Sequence, residues 1–280
     1  MDANNCTETR QLEKDEVWQS VQRARHPKRP KALQFIESFK DFDQLHGDRM
    51  FGDCQAIIGG TALFDDTAVM VLGQEKGHDT QTRIKHNFGM PRPEGYRKAS
   101  RLFTLAEQYQ MPVVIFLDSP GAYAGVDAEQ RNQSQAIAHN ILQMTSLRVP
   151  IIAFIIGEAM SGGAMAMGVT DHIAMYENSI FSVISPEGCS GILWKDKDHS
   201  IDAAHAMAVH ASAMAKGGFV DELISEPGLG AHTNPQAAID AMQVSLRNAL
   251  NSLIDLDIDE LIQRRHARLQ KLSSSFSCQS

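Results

Sequence analysis

At 280 residues, 43% of them hydrophobic and 21% charged, the chain has the size for one large domain or two modest ones and an ordinary globular composition. A net charge of -8 argues against bulk binding to nucleic acid or an anionic membrane. Cys6, Cys54, Cys189 and Cys278 lie far apart with no CxxC pair, which fits reduced thiols in a cytoplasmic protein rather than disulfides or a zinc site.

The N-terminal stretch MDANNCTETR lacks the apolar core of a secretory signal. The histidines include no HxH or HExxH spacing, so no metal is expected. Leu12, Trp18 and Val21 suggest a short amphipathic helix, which the prolines of RHPKRP (25–30) must break. A second short helix is expected over 32–42. Residues 56–64 and 68–75 read as paired strands that turn through Asp65-Asp66.

The middle of the chain repeats a pattern. Met111-Pro112 leads into an apolar strand at 113–117, and Val149-Pro150 leads into another at 151–156. A helix precedes each: 94–109, with Leu102, Leu105, Ala106 and Tyr109 on one face, and 128–147, with Ile137, Ile141 and Met144. Asp127, with Gln130 three residues on, is the expected cap of the latter. Strands at 172–176 and 180–184 follow, then a helix begun by Ser185 and Pro186. Such units, spaced by roughly 40 residues, imply a superhelical α/β core whose continuously apolar strands are covered on both faces. There are too few regular units for a TIM barrel and no GxGxxG for a Rossmann fold.

Asn234-Pro235 opens a helix with Ile239, Met242 and Leu246 on one face. Another runs over 257–272, with Leu261, Ile262 and Leu269 apolar and Arg264-Arg265 exposed. Amphipathic helices of this kind point to a partner interface. The division expected is one domain over 1–252, a C-terminal helix over 253–272 and a disordered tail over 273–280.

The most informative stretch is 151–168, IIAFIIGEAMSGGAMAMG. An apolar strand passes through Gly157-Glu158 and turns at Ser161-Gly162-Gly163 into a small-residue helix. Glu158 and the polar turn exclude a membrane span, which needs roughly 20 mostly apolar residues. A helix start aims backbone N–H groups at one point and suits an anion or developing oxyanion; a tight packing junction would use the same glycines.

Several strings then combine: RHPKRP, NFGMPRPEGYRKA (87–99), FLDSPGAYAG (116–125), the SGGA turn, SVISPEGCSGILWK (182–195) and EPGLGAHTNP (226–235). Together, over residues 20–270, they resemble the α-subunit family of the bacterial acetyl-CoA carboxylase carboxyltransferase. The resemblance implies a crotonase-like superhelix of stacked ββα units with peripheral N- and C-terminal helices. It implies a β-subunit partner with a zinc ribbon, an α2β2 assembly, and active sites between α and β. The reaction moves a carboxyl group from carboxybiotin, borne by a separate biotin carboxyl carrier protein, to acetyl-CoA, giving malonyl-CoA for fatty acid biosynthesis. Gly162 and Gly163 match the glycines whose amides face the biotin ureido oxygen. Gly121, Ala122, Tyr123, Glu187 and Gly188 are assigned to the pocket wall. No biotinylation string or ATP-binding motif is present, so biotin arrives in trans and ATP is used by a separate biotin carboxylase.

The sequence departs from the family pattern in three places. Ala159-Met160 replace paired glycines, Ala124 replaces a proline, and an N-terminal extension of about 40 residues is absent. Met160 is expected to narrow the biotin tunnel, and Ala124 to loosen its opposite wall. These departures keep open a specialised paralogue or a non-catalytic scaffold. A Clp-type serine peptidase would need Ser161 beside His139. Lys76, Arg83, Lys85, Arg92 and Lys98 cluster in sequence, as CoA-phosphate or carrier contacts or as an ordinary solvated face.

Overall fold

The computed structural model describes residues 12–274. The chain opens with α1 (Lys14–Ala24), α2 (Ala32–Ile36), β1 (Lys40–Gln44), β2 (Ile57–Phe64) and β3 (Thr67–Gln74). Next come α3 (Thr80–Lys85), α4 (Pro93–Gln108), β4 (Val113–Ser119), α5 (Val126–Gln130), α6 (Gln133–Ser146), β5 (Ile151–Met160) and α7 (Ser161–Met165). Then follow β6 (His172–Tyr176), β7 (Ile180–Ser182), α8 (Pro186–Leu193), α9 (Ser200–Ala206), α10 (Ala211–Lys216), β8 (Glu222–Ile224), α11 (Pro235–Leu253) and α12 (Ile258–Ser274).

The strands form a sheet ordered β1-β2-β3-β4-β5-β6-β8, antiparallel at β1-β2-β3 and parallel beyond. β7 pairs with the end of β5, through Glu158, Ala159 and Met160, while β6 takes its first half. One long strand thereby belongs to two successive turns of the superhelix. Every residue of β4 and β5 is buried, as their unbroken apolar runs require once helices cover both faces. Leu102 and Phe103 of α4 and Met144 of α6 pack on one face. Phe35 and Ile36 of α2 and Met242 and Leu246 of α11 pack on the other. The Ser185 and Asn234 caps form as expected, accepting from the amides of Gly188 and Ala237.

Five expectations need correction. The 32–42 helix stops at Ile36, and Lys40–Gln44 pairs with β2 as an edge strand containing a register shift and Asp41 at φ 52°. The 128–147 helix is two helices, broken where Asn132 takes φ 62°. Gly125 is the N-cap there, because the Asp127 carboxylate is engaged by Arg92 and Arg131. Arg265 is not exposed but fully buried, bonding Asp171 and the carbonyls of Met144, Leu147 and Val149. α12 also continues through Ser274 into the expected tail, the rest of which lies outside the described residues, as do Cys6 and Cys278.

Candidate active site

The parallel strands β3, β4 and β5 end together, and their last residues build the site. Ser161 makes the sharp turn from β5 into α7 with φ 56°, a left-handed conformation costly for a residue with a side chain. As first-turn residues of α7, Gly162 and Gly163 have amides with no carbonyl four positions back inside the helix. The buried Gln74 side chain clamps the turn: its Nε2 donates to the Gly163 carbonyl at 2.7 Å and its Oε1 accepts from the Asp118 amide at 3.1 Å.

The loop after β4 meets this turn directly. A Cβ on Gly163 would lie 2.8 Å from the Gly121 carbonyl carbon and 3.0 Å from the Ala122 nitrogen, so only glycine permits the approach. Gly121 itself holds φ 139°. Its amide donates to Ser119 Oγ, and the Tyr123 amide donates to the Pro91 carbonyl. Between them, the Ala122 N–H has no hydrogen-bond acceptor among the described residues. Three backbone donors, on Ala122, Gly162 and Gly163, therefore lie around one contact.

The other assigned residues divide. Tyr123 folds back against Gly125 and under the Arg92 guanidinium, 4.3 Å from the ring centroid. The Gly188 amide is consumed by the Ser185 cap. Glu187 accepts two hydrogen bonds from Arg25, which also donates to Glu158 at 2.5 Å. Lys76 bonds Glu158 at 2.7 Å and Asp118 at 2.6 Å. Burial would raise the Glu158 carboxyl, but the charges and hydrogen bonds of Lys76 and Arg25 hold it at about 2. The basic cluster also splits. Lys98 is buried on Asp53 and the Cys54 carbonyl, and Arg92 is taken by Asp127. Only Lys76 and Arg83 of that cluster share a cleft. What the sequence did not disclose is the burial of Arg29 and Lys31; alternating cations and prolines in RHPKRPK were the available signal.

Met160 does not reach the turn. It is fully buried and packs with Val17, Val21 and Ala24 of α1, while Ala159 joins the core on the opposite face. The exposed Ala124 leaves the turn contact untouched. The peptidase constellation does not form either. Ile137 of α6 faces Gly162, whereas His139, about 200° further around the helix, is exposed. Among the described residues there is no cluster of His, Cys, Asp and Glu fit for a metal, and no helix is long and apolar enough to cross a membrane.

The fold is that of the crotonase-like carboxyltransferases. A transcarboxylase 12S structure with methylmalonyl-coenzyme A and methylmalonic acid bound matches 80% of this chain and 41% of its own at TM-score 0.65 and 16% identity. The β subunit of Pseudomonas aeruginosa geranyl-CoA carboxylase matches 92% and 46% at TM-score 0.61 and 17% identity. A Pseudomonas malonate decarboxylase hetero-tetramer in complex with coenzyme A matches 80% and 89% at TM-score 0.64 and 16% identity.

Sequence comparison narrows the class to one family. Residues 3–273 match the model of the acetyl co-enzyme A carboxylase carboxyltransferase-like family. The acetyl-coenzyme A carboxylase carboxyl transferase subunit alpha of Chromohalobacter salexigens is 51% identical over 254 residues, covering 90% of this chain and 80% of that protein. Its Azotobacter vinelandii counterpart is 50% identical over 253 residues, with the same coverages. The chain belongs to the acetyl-CoA carboxylase carboxyltransferase α-subunit family.

Proposed function

We propose that this chain is the α half of a biotin-dependent acetyl-CoA carboxyltransferase, with Gly162 and Gly163 as its oxyanion donors and the Ala122 N–H as a third. The observation that carries this is the Gly163 contact with the Gly121–Ala122 peptide, which leaves room for no side chain between the two turns. Carboxybiotin supplies an activated carboxyl group and a ureido oxygen that gains negative charge when the group departs. The amides of Gly162 and Gly163 are fixed by the backbone and by Gln74, so they need not reorganise as that charge develops. Loss of one such donor costs roughly 10²–10³ in rate in comparable sites. Within the described residues around the turn no side-chain base is required of this chain, whose part is to orient and to hold charge.

In this reading the β subunit completes the site from the other side in an α2β2 assembly and supplies the second donor pair, for the thioester enolate. The biotin carboxyl carrier protein and the biotin carboxylase are separate partners. The carboxyltransferase domain is residues 1–252, with 253–272 as an appended helix. Reconstitution with the β subunit and the biotinylated carrier, following malonyl-CoA formation, tests it. Wild type is expected to turn over, and Gly163→Val to abolish turnover while still co-eluting with β. Full activity in Gly163→Val refutes the oxyanion assignment; a stable wild-type complex without turnover leaves a scaffold.

A further inference from the structure

Gln74 is fully buried, yet it holds a position where the pattern of β3 calls for an apolar side chain. Met70 and Leu72 face the core shared with Leu117, Ala159 and Ala164, and strand alternation puts Gln74 on that same face. A buried amide is costly unless its polar atoms are bonded. Both atoms are bonded, and each bond stands where regular backbone pairing has ended.

On one side, the β3–β4 ladder ends at Gly73 and Phe116, and β4 and β5 shift register between Leu117 and Ser119. There Gln74 Oε1 accepts from the Asp118 amide at 3.1 Å. On the other side, α7 is too short to satisfy the Gly163 carbonyl. Met167, four residues on, donates to the Ala164 carbonyl instead, and Gln74 Nε2 donates to Gly163 at 2.7 Å. Asp118 leads into the loop that carries Gly121 and Ala122, and Gly163 belongs to the turn that carries the other two donors. One side chain thereby spans both donor-bearing turns.

The chemistry of the group matters as much as its reach. A primary amide donates and accepts at once without charge. A carboxylate could not donate to the Gly163 carbonyl and would set a negative charge near a developing oxyanion. The charged neighbours turn to the opposite face of the sheet. Phe116 and Ile156, two residues before Asp118 and Glu158, pack with α2, and Lys76 bonds both carboxylates.

We propose that Gln74 is a positioning residue of the carboxyl transfer, fixing the distance between the Ala122 donor and the Gly162–Gly163 donors. Fully buried, it acts through the two turns and touches neither substrate. The proposal rests on the carboxyltransferase function above.

The test uses the reconstituted α–β enzyme. Gln74→Leu keeps the bulk of the side chain and removes both bonds. It is expected to lower kcat about 10²-fold, the scale of a donor misplaced by about 1 Å. KM for acetyl-CoA and for the carboxylated carrier should each stay within about 3-fold. Unaltered kcat, or a KM that rises in step with the fall in kcat, overturns the proposal. Gln74→Glu serves if Gln74→Leu fails to fold. Its carboxyl, when protonated, can donate to Gly163 and accept from Asp118; when ionised it cannot donate. Burial raises such a carboxyl, so kcat relative to wild type should recover as pH falls from about 9 to about 6. A ratio that does not change with pH overturns the proposal. Amide hydrogen exchange of the same complex needs no turnover. Gln74→Leu is expected to speed exchange about 10-fold in the turns at 118–123 and 160–166 and not in the body of the sheet. That result supports Gln74 even if no malonyl-CoA forms, in which case it is the carboxyltransferase function that falls. Unchanged exchange at the turns, or an equal rise through β3, β4 and β5, overturns the proposal.

Discussion

Gly162 and Gly163 are neighbours with different surroundings, which lets packing be separated from chemistry. A methyl on Gly162 would meet only Ile137 Cδ1, at 3.3 Å, whereas on Gly163 it meets the Gly121–Ala122 backbone. Gly162→Ala is therefore expected to keep activity within about 10-fold and to gain up to about 1 kcal/mol of helix propensity. Gly163→Ala must push the facing peptide away and misplace donors on both turns, lowering kcat by about 10²-fold or more. Initial rates of malonyl-CoA formation decide this, and equal losses in both variants would contradict the geometry. Met160 leads to the opposite kind of expectation. Since it packs on α1, Met160→Gly should cost about 2–5 kcal/mol in urea denaturation while KM for the carboxylated carrier stays put. Altered carrier KM at unaltered stability would return Met160 to the tunnel.

The strap between α1 and α2 ties the site's elements together. Arg25 joins β5 to α8, and the buried Arg29 bonds the Ile156 carbonyl, Ser179 and Glu226. RHPKRP was legible as a helix breaker because proline acts locally. The pairing of Arg25 and the burial of Arg29 were not legible, because their carboxylate partners lie 133, 162 and 197 residues away in sequence. The misjudged helix over 128–147 has another cause: residues 129–135 are all polar, so no apolar pattern marks the break that the left-handed backbone at Asn132 makes. The strand–turn–helix of β5 and α7, by contrast, was legible from its own residues. The strap has an acid signature. Glu158, ordinarily near 4.5, is held at about 2 in the fold, so its stabilisation is complete above about 4.5 and lost as pH falls towards 2. Its full size is on the order of 3 kcal/mol. Arg25→Met should lower stability at pH 7 and flatten the fall between pH 4.5 and 2, read from urea midpoints across that range. An unchanged slope would mean that Lys76 alone sets the Glu158 charge.

The two edges of the sheet carry separate duties. At the carboxyl ends of the strands lie the amide donors and the cleft; at the amino ends, Arg265 of α12 ties the molecule shut. Its guanidinium spans Asp171, just ahead of β6, and carbonyls leading from α6 into β5, while Asp171 also accepts from the Ile151 amide. Apolar spacing alone made 264–265 look like one exposed basic pair, but only Arg264 is, paired with Glu260 one turn away. Arg265→Met leaves three carbonyls and both Asp171 carboxylate oxygens without this donor, a loss of about 3–5 kcal/mol. In a chain of this size that is a fall of about 10 °C in Tm. Arg264→Met should move Tm by less than about 2 °C, since an exposed helix pair contributes about 0.5 kcal/mol. Because Arg265 lies at the edge away from the donors, the folded fraction of Arg265→Met should retain wild-type KM for both substrates at a temperature well below its Tm. A raised KM there would show that α12 reaches the site through the sheet, and the separation of the two edges would have to be abandoned.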